Sequence, residues 1–559
     1  MALLTIENLS FIYKGGDKYA LKNINLEIEK GEFIVICGAS GTGKTTLLRL
    51  LKPELAPNGE RQGKILIGKD NLYDSDKRFT AEKIGFVRQN PDNQIVTDKV
   101  YHELAFGLEC LGEKKDVIRK RIAEISQFFG INEWYEKNTC ELSGGEKQLL
   151  NLASVMVMNP DILIFDEPTG QLDPIAADKF LHNVERINRE LGITVIMAEH
   201  RLETAFSIAD KILLMLDSSV GFFGSPTMAG EYFACRTEDE NYKLMPACVK
   251  LFLALGSGNA CPTNILEAQR YLREYACNNV KTPDVAGKKP LCDDIAVELR
   301  DVFFRYTKNG DDVLKAVSLK IHRGEIYAVV GGNGSGKSTL LKAIADIIKP
   351  YSGKIKIKGK NIKAYKSEEL YYKNIAMLAQ NPAAVFVKDK VIDDLDEIAG
   401  LKKIDKTYFK ALRDKIVEML SIEKLLERHP YDLSGGEMQK AALAKVLLLE
   451  PEILLLDEAT KGLDNIGKED IGNILQKLQG QGVTVIMVTH DIEFAAEYST
   501  RVGMMFAGDV VAEDYARDFF AGNRYYTTAA GKIAAGYYDN VVTVKQLIEL
   551  AAINKKYRN

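Results

Sequence analysis

The chain has 559 residues, of which 46% are hydrophobic and 27% are charged, a composition typical of globular proteins with large cores. Its 74 lysines and arginines against 78 aspartates and glutamates give a net charge of −4, so charge provides no argument for nucleic acid as the main partner. No apolar segment approaches the ~18 residues that a membrane-spanning helix needs, so any role at a membrane requires a partner that supplies the membrane part.

A buried strand over residues 34–37 is predicted to lead into a glycine-rich loop and then into a helix over 46–51. The loop has the pattern Gly-x-x-x-x-Gly-Lys-Thr, whose glycines let backbone N–H groups face phosphate oxygens at a helix N-terminus. Lys44 is expected to reach the β and γ phosphates of a nucleotide, and Thr45 to ligate magnesium. The predicted phosphate-binding residues are Gly38, Ser40, Gly41, Gly43, Lys44, Thr45 and Thr46.

Two later strands, over 162–165 and 194–197, end in polar side chains. The carboxyl ends of parallel strands face the ligand crevice of an open α/β sheet. Asp166 is therefore predicted to hold magnesium and Glu167 to polarise the attacking water, while His200 is predicted to contact the γ phosphate. The alternatives are a solvated acidic strand end and a structural histidine.

These features recur later in the chain. Lys337 follows Lys44 by 293 residues, Glu458 follows Glu167 by 291, and His490 follows His200 by 290. A near-constant offset indicates a duplicated domain rather than chance matches. The second site is predicted to consist of Gly331, Asn333, Gly334, Gly336, Lys337, Ser338 and Thr339 for phosphate, Ser338 and Asp457 for magnesium, and Glu458 and His490 for catalysis.

The predicted layout follows from the repeat. The first copy spans 1–232, a connector with helices spans 233–291, the second copy spans 292–520, and a helical tail spans 521–559. Within each copy, strand-like runs alternate with helical patterns, which favours a parallel α/β core.

The segments at 142–146 and 433–437 both read Leu-Ser-Gly-Gly-Glu, and with them the chain resembles ABC ATPases over most of each half. Glutamate three residues after the serine also forms a capping box that starts a helix. The resemblance implies two tandem P-loop NTPase domains, each with a mainly parallel sheet core, an antiparallel β subdomain and a helical subdomain. It also implies an intramolecular dimer in which Lys44 shares an ATP with Ser434, Gly435 and Gly436, and Lys337 shares one with Ser143, Gly144 and Gly145.

Three further pairs of residues match positions of the ABC family, and the resemblance implies their roles. They are the magnesium-sensing glutamines Gln89 and Gln380, the adenine-stacking tyrosines Tyr13 and Tyr306, and the aspartates Asp173 and Asp464 of the loop that links the two sites. Packing within a strand is the alternative for the tyrosines. Since every catalytic position is present in both halves, two competent sites are expected, with ATP and Mg²⁺ as cofactors.

Several short segments resemble the ATPases of energy-coupling factor transporters, which import vitamins and metal ions. They are Gln-Asn-Pro-Asp-Asn-Gln at 89–94, Ala-Phe-Gly-Leu-Glu at 105–109 and Glu-Pro-Thr-Gly-Gln-Leu-Asp-Pro at 167–174, while 519–530 resembles the tail of the fused, two-domain version. The second copy departs at 383–385, which reads Ala-Ala-Val, so the two halves are expected to bind a membrane partner differently.

The resemblance implies an integral membrane scaffold and a small substrate-binding membrane protein as partners, one chain per transporter, and a peripheral location on the cytoplasmic face of the cell membrane. No nucleic acid is expected. The alternatives are a fused sugar-importer ATPase, an ABC factor that acts on ribosomes, and a nucleotide-binding module without hydrolysis. Eight basic and eight acidic residues in 236–294 are a poor fit to an RNA-binding arm.

Overall fold

The computed structural model describes residues 2–236, 240–256, 260–275, 291–402 and 405–558. The chain forms two compact units, Met1–Tyr271 and Leu272–Asn559. The predicted connector falls partly on residues 237–239, 257–259 and 276–290, which lie outside the described residues, as does the last residue of the predicted tail.

In the first unit, strands and helices alternate along most of the chain. The strands are β1 Ala2–Tyr13, β2 Tyr19–Glu29, β3 Phe33–Cys37, β4 Gly59–Ile67, β5 Asp70–Asn71, β6 Ile84–Val87, β7 Ile162–Asp166, β8 Thr194–Ala198, β9 Lys211–Leu216 and β10 Ser219–Gly224. The helices are α1 Lys44–Leu50, α2 Lys77–Lys83, α3 Val100–Cys110, α4 Lys115–Phe129, α5 Gly144–Met156, α6 Pro174–Leu191, α7 Leu202–Ile208, α8 Pro226–Ala234, α9 Ala247–Leu255 and α10 Ile265–Tyr275, the last of which crosses the boundary between the units.

The first unit has two sheets among its described residues. The larger has the order β10-β9-β3-β8-β7-β6 and is parallel except for the antiparallel edge strand β10. The smaller is antiparallel, with the order β2-β1-β4-β5. Every residue of β3, β7 and β8 is buried, as expected for parallel strands whose two faces are both covered. The carboxyl ends of these three strands therefore meet at one edge of the larger sheet.

The second unit repeats this architecture. Its strands are β11 Ile295–Phe304, β12 Leu314–His322, β13 Ile326–Val330, β14 Ser352–Ile357, β15 Lys360–Asn361, β16 Ile375–Leu378, β17 Ile453–Asp457, β18 Thr484–Val488, β19 Arg501–Phe506 and β20 Asp509–Tyr515. Its helices are α11 Lys337–Ile344, α12 Ser367–Tyr371, α13 Val391–Lys402, α14 Lys406–Leu420, α15 Gly435–Leu447, α16 Asn465–Gly480, α17 Ile492–Tyr498, α18 Ala516–Gly522, α19 Ala529–Ala534 and α20 Val544–Arg558.

The strand order of the second unit is the same as that of the first when corresponding strands are compared. The sheets run β16-β17-β18-β13-β19-β20 and β12-β11-β14-β15. The predicted fold class, two tandem P-loop ATPase domains with parallel cores and antiparallel β subdomains, is confirmed. None of the helices in the described ranges combines the length and hydrophobicity of a membrane-spanning segment.

Candidate active site

The glycine-rich loop of the first unit joins β3 to α1, as the sequence predicts. The buried Lys44 side chain lies inside this loop, where its Nζ donates hydrogen bonds to the carbonyl oxygens of Gly38, at 2.8 Å, and Ala39, at 2.9 Å. The loop therefore holds a desolvated cation at the N-terminus of a helix, an arrangement that favours phosphate oxygens. The loop and first helical turn contain all seven predicted phosphate-binding residues: Gly38, Ser40, Gly41, Gly43, Lys44, Thr45 and Thr46.

The second loop joins β13 to α11 in the same way. Lys337 Nζ donates to the carbonyl oxygens of Gly331, at 3.0 Å, and Gly332, at 2.8 Å. The predicted residues of this loop and its helix are Gly331, Asn333, Gly334, Gly336, Lys337, Ser338 and Thr339.

The last loop glycine lies against the backbone of a neighbouring strand. Gly43 has φ +97°, and a Cβ atom there would be 2.3 Å from the carbonyl oxygen of Ala20 in β2. Both the left-handed conformation and the close approach require glycine. Gly336 is in the same situation, with φ +101° and 2.8 Å to the carbonyl oxygen of Val313.

A hydrogen bond connects each loop to the strand that carries the predicted magnesium ligand. Thr45 Oγ1 donates to Asp166 Oδ1 at 2.9 Å, and Ser338 Oγ donates to Asp457 Oδ1 at 2.9 Å. Burial raises the pKa of both aspartates, while the hydroxyl and the nearby loop lysine act in the opposite direction. Each site thus places a hydroxyl and a carboxylate together, and these are oxygen donors of the kind that Mg²⁺ prefers.

Two side chains from other segments contact the carboxylate of Glu167, the residue that follows β7. Gln89 Nε2 donates to Glu167 Oε2 at 2.8 Å, and His200 Nε2 lies 2.8 Å from Glu167 Oε1. Glu167 itself has φ +49°, a left-handed conformation that costs free energy in a residue with a side chain. The structure therefore unites the predicted base, the predicted γ-phosphate contact and the predicted metal-sensing glutamine.

In the second site, a glutamine and a histidine again contact the glutamate, and a lysine side chain lies near it as well. Gln380 Nε2 donates to Glu458 Oε2 at 2.9 Å, and His490 Nδ1 lies 3.2 Å from Oε1. Lys461 Nζ lies 3.6 Å from Glu458 Oε2. Burial alone would raise the pKa of Glu458, but the hydrogen bond and charge of His490, together with Lys461 and Gln380, lower it to about 2. The Glu458 carboxylate is therefore ionised at neutral pH, and its affinity for a proton is lower than that of an ordinary glutamate.

Sequence reasoning missed two residues that distinguish the sites. Lys461 has Gly170 as its counterpart in the first copy. Glu199, which is buried, accepts hydrogen bonds from Thr169 Oγ1 at 2.8 Å and from the backbone N–H of His200 at 2.9 Å. The second copy has a threonine in place of Glu199. Aligning the two copies residue by residue would have revealed both differences.

The serines of the repeated Leu-Ser-Gly-Gly-Glu segments cap the helices that follow them. Ser143 N donates to Glu146 Oε2 at 2.7 Å, and Glu146 N donates to Ser143 Oγ at 3.3 Å. Ser434 forms the same capping box at the start of α15. Gly144, Gly145, Gly435 and Gly436 form the first turns of these helices and are partly or fully exposed within their own units.

The predicted adenine-stacking tyrosines lie next to the loops with exposed rings. Tyr13 is 42% exposed, and its hydroxyl is 2.8 Å from Thr46 Oγ1. Tyr306 is 59% exposed, and its hydroxyl is 3.0 Å from Thr339 Oγ1. A ring face that is exposed beside the phosphate loop is available for stacking, although these residues remain predictions.

The predicted inter-site aspartates cap helices in their own units. Asp173 Oδ1 accepts from the N–H of Ala176 at 2.9 Å at the start of α6, and Asp464 Oδ1 accepts from that of Gly467 at 2.7 Å at the start of α16. Capping accounts for an aspartate at these positions. Their role between sites stays a prediction.

The family profile, the curated relatives and a solved structure that match this chain all concern ABC transporters. The ABC transporter family profile matches residues 21–170 and 314–461. A protein of Bacillus thuringiensis subsp. konkukian, provisionally named an ABC transporter ATP-binding protein, is 41% identical over 529 residues, 94% of each chain. A Clostridium tetani relative of the same provisional name is 37% identical over 451 residues, 81% of this chain and 99% of the relative. The solved structure of cbiO1 from Clostridium perfringens, part of the ABC transporter complex cbiONQ, is similar at 32% identity and TM-score 0.39 over 41% of this chain and 92% of that one.

Replacing Gly43 with alanine should weaken ATP binding at the first site by at least about tenfold, because the new Cβ meets the Ala20 carbonyl oxygen and a left-handed alanine costs about 1–2 kcal/mol. Gly41→Ala is the matched control, since Gly41 has φ +83° but nothing lies within 4 Å of an added Cβ. Both are measured with a fluorescent ATP analogue in a Lys337→Ala background. If Gly43→Ala and Gly41→Ala lost ATP affinity equally, the close approach of Gly43 to the Ala20 carbonyl oxygen would play no part in ATP binding.

Replacing Lys461 with glycine should raise turnover at the second site severalfold, since a nearby cation lowers the proton affinity of Glu458. The reciprocal Gly170→Lys should slow the first site. Phosphate release is measured in a Glu167→Gln background for the former variant and a Glu458→Gln background for the latter. Turnover unchanged by both exchanges would exclude Lys461 as a source of asymmetry.

Proposed function

Because the chain belongs to the ABC transporter family, it binds and hydrolyses ATP, and we propose that this hydrolysis powers a membrane importer. The observation that carries the ATP site is the same in each unit: the hydroxyl that follows the loop lysine bonds to the strand aspartate, and the glutamate after this aspartate contacts a histidine. The importer assignment is supported by family membership and by the sequence resemblance. The finer proposal is an energy-coupling factor transporter for a vitamin or a metal ion. Its support is the sequence resemblance at 89–94, 105–109, 167–174 and 519–530.

We propose the following roles at the first site. Lys44 and the loop N–H groups bind the β and γ phosphates, and the Tyr13 ring stacks on adenine. Glu167 accepts a proton from the water that attacks the γ phosphorus, and ADP leaves as the bond to its β-phosphate oxygen breaks. His200 orients the Glu167 carboxylate, since its Nε2 is 2.8 Å from that carboxylate. His200 also contacts the γ phosphate when ATP is bound.

A magnesium ion fits the donor set of each site. Thr45 and Asp166 would hold it in the first site, and Ser338 and Asp457 in the second, with Gln89 and Gln380 completing the respective sets. When bound, the ion neutralises phosphate charge. The Gln89 side-chain N–H donates a hydrogen bond to Glu167. The side-chain oxygen of Gln89 is therefore the atom that would bind the magnesium ion.

Binding of a membrane partner is supported by an exposed apolar residue at matched positions of the two units. Val96 is 66% exposed and Val387 is 70% exposed. Buried carboxylates hold the backbone beside them: Glu103 Oε2 accepts from the N–H of Val96 at 3.0 Å, and Asp394 Oδ1 accepts from that of Val387 at 3.1 Å. We propose that each of these exposed valines contacts an apolar helix of the partner.

The loop before Val96 differs between the units. In the first unit, Lys147 Nζ on α5 lies 2.7 Å from Asp92 Oδ1, and Gln94 bonds to the backbone of Arg88 and Phe86. The second unit has Ala-Ala-Val at 383–385 in this loop. We propose that the two units accordingly contact different parts of an integral membrane scaffold, with a separate small membrane protein binding the substrate.

In this proposal the chain is a peripheral protein on the cytoplasmic face of the membrane. ATP binding favours closure of the two domains and hydrolysis permits opening. Such a cycle moves the scaffold because nucleotide affinity differs between the two states.

Replacing both Glu167 and Glu458 with glutamine should abolish ATP hydrolysis while leaving ATP binding intact, because glutamine keeps the shape but cannot accept the proton. Each single variant should lose turnover at its own site only. Phosphate release and equilibrium ATP binding are the two measurements, and Glu190→Gln, at an exposed ion pair on α6, is the control. Undiminished turnover in the double variant would rule out these glutamates as the base.

Purification of the tagged chain from host membranes in mild detergent should recover a polytopic scaffold and a small membrane protein, identified by mass spectrometry. Val96→Asp with Val387→Asp should reduce recovery at least about tenfold, since burying an unpaired carboxylate costs more than about 1.4 kcal/mol. Val511→Asp, at a residue 57% exposed in β20, is the matched control. Recovery of ribosomal proteins, or of no membrane protein, would contradict the importer and leave the ATPase intact.

A further inference from the structure

Each unit carries a pair of helices that lies beyond the residues matched by the family profile. In the first unit the pair consists of α9 and α10, and in the second unit of α19 and α20. The first pair falls in the predicted connector and the second in the predicted tail.

The second helix of each pair begins with the same capping pattern. In α10, the Glu267 carboxylate accepts from the N–H of Thr263 at 2.8 Å, and Asn264 Oδ1 accepts from the N–H of Glu267 at 2.9 Å. In α20, the contacts fall on the equivalent residues: Gln546 Oε1 accepts from the N–H of Val542 at 2.9 Å, and Thr543 Oγ1 accepts from the N–H of Gln546 at 3.2 Å.

The first helix of each pair begins at a glutamate from elsewhere in its unit. Glu203 Oε1 accepts from the N–H of Ala247, the first residue of α9, at 2.9 Å. Glu493 Oε1 accepts from the N–H of Ala529, the first residue of α19, at 2.6 Å. The separations along the chain are 44 and 36 residues, so the contact is kept although the segment between the partners differs in length.

These glutamates lie on the helices that follow the active-site histidines. Glu203 is in α7, a helix of seven residues that begins two residues after His200, and Glu493 is in the corresponding helix α17 after His490. Each glutamate lies three residues after its histidine, with one residue between the histidine and the start of the helix, so both side chains project from one short stretch of backbone. Each glutamate is therefore the point at which a helical pair meets the segment that carries a catalytic histidine.

Each pair is itself tied together. Tyr271 of α10 donates its hydroxyl to the carbonyl oxygen of Gly256, just after α9, at 2.7 Å. In the second unit, the Asn554 amide of α20 donates to the hydroxyl of Tyr538, just after α19. A displacement that enters at the first helix of a pair is thus carried to the second.

We propose that α9–α10 and α19–α20 are two copies of one helical module, and that Glu203 and Glu493 are positioning residues that couple each module to the histidine of its own ATP site. The coupling rests on the proposed contact of His200 and His490 with the γ phosphate. Through it, ATP binding in a unit restrains that unit's module, and the state of the module alters the rate of hydrolysis.

Hydrogen exchange on the full chain tests this coupling. Glu167→Gln with Glu458→Gln serves as the background, so that ATP remains bound and intact. ATP should slow exchange in peptides that cover 247–255 and 529–534. Glu203→Ala should remove the response of the first peptide and leave that of the second, and Glu493→Ala should do the reverse, so each module is the internal control for the other.

Two further variants separate coupling from folding. Glu203→Gln should retain most of the ATP-dependent change in exchange, because the amide oxygen still accepts from the N–H of Ala247. If Glu203→Ala does not fold, loss of the response in Glu203→Gln would count against the coupling. His200→Ala should remove the response of the first module while ATP still binds. No ATP-dependent change at either peptide, or loss at both from Glu203→Ala, would overturn the proposal.

Kinetics provide a second readout. In a Glu458→Gln background, Glu203→Ala should lower kcat about tenfold, the effect of one lost charged hydrogen bond, and change KM for ATP less than about twofold. Glu190→Ala, at an exposed ion pair on α6, should change neither. If KM for ATP rose by the same factor as kcat fell, Glu203→Ala would be disturbing the whole site, and the coupling would be contradicted. Because no membrane partner is involved, these outcomes are independent of the importer assignment.

Discussion

The hydrogen bond between Thr45 Oγ1 and Asp166 Oδ1 is the contact on which the rest of the first site depends, and Ser338 Oγ makes the same bond to Asp457 Oδ1 in the second. The bond in the first site joins two segments 121 residues apart, the phosphate loop after β3 and the end of β7. Parallel pairing through β8 brings these ends to one edge, and burial makes a lone carboxylate there costly. A regular strand would direct the next side chain to the opposite face, and the left-handed conformation of Glu167 turns its carboxylate towards Gln89 and His200 instead.

That geometry is obtained at the expense of backbone strain. Glu167 and Glu458 both have positive φ, a conformation that costs about 1–2 kcal/mol in a non-glycine residue. The strain persists because a glutamine and a histidine from separate segments bond to each carboxylate. Conformational cost and catalytic orientation therefore have one cause: the backbone turns abruptly so that two successive carboxylates face one ligand.

The two copies share the strand order and the contacts of the phosphate loop, but they differ in residues next to the catalytic groups. The strand orders match, and the loop contacts agree to within about 0.2 Å. Yet Lys461 stands where the first copy has Gly170, and Glu199 where the second has Thr489. Because these residues touch the catalytic groups without replacing them, two sites of the same chemistry acquire different electrostatics. A fused chain can keep such differences, since each copy always has the same neighbour.

Features that are local or periodic could be predicted from the amino-acid sequence. The loop pattern, the buried strand before it and the acidic residues at the end of a later strand each occupy consecutive residues. Because the carboxyl ends of parallel strands face one crevice, the proximity of Lys44, Asp166 and Glu167 could be predicted from them. Contacts between side chains from distant segments became visible in the folded chain and could not be predicted from the sequence. The contact of Glu203 with Ala247 depends on the rotamer of Glu203 and on how two segments 44 residues apart pack together. It leaves no periodic pattern in the sequence, because a single hydrogen bond across 44 residues constrains one side chain.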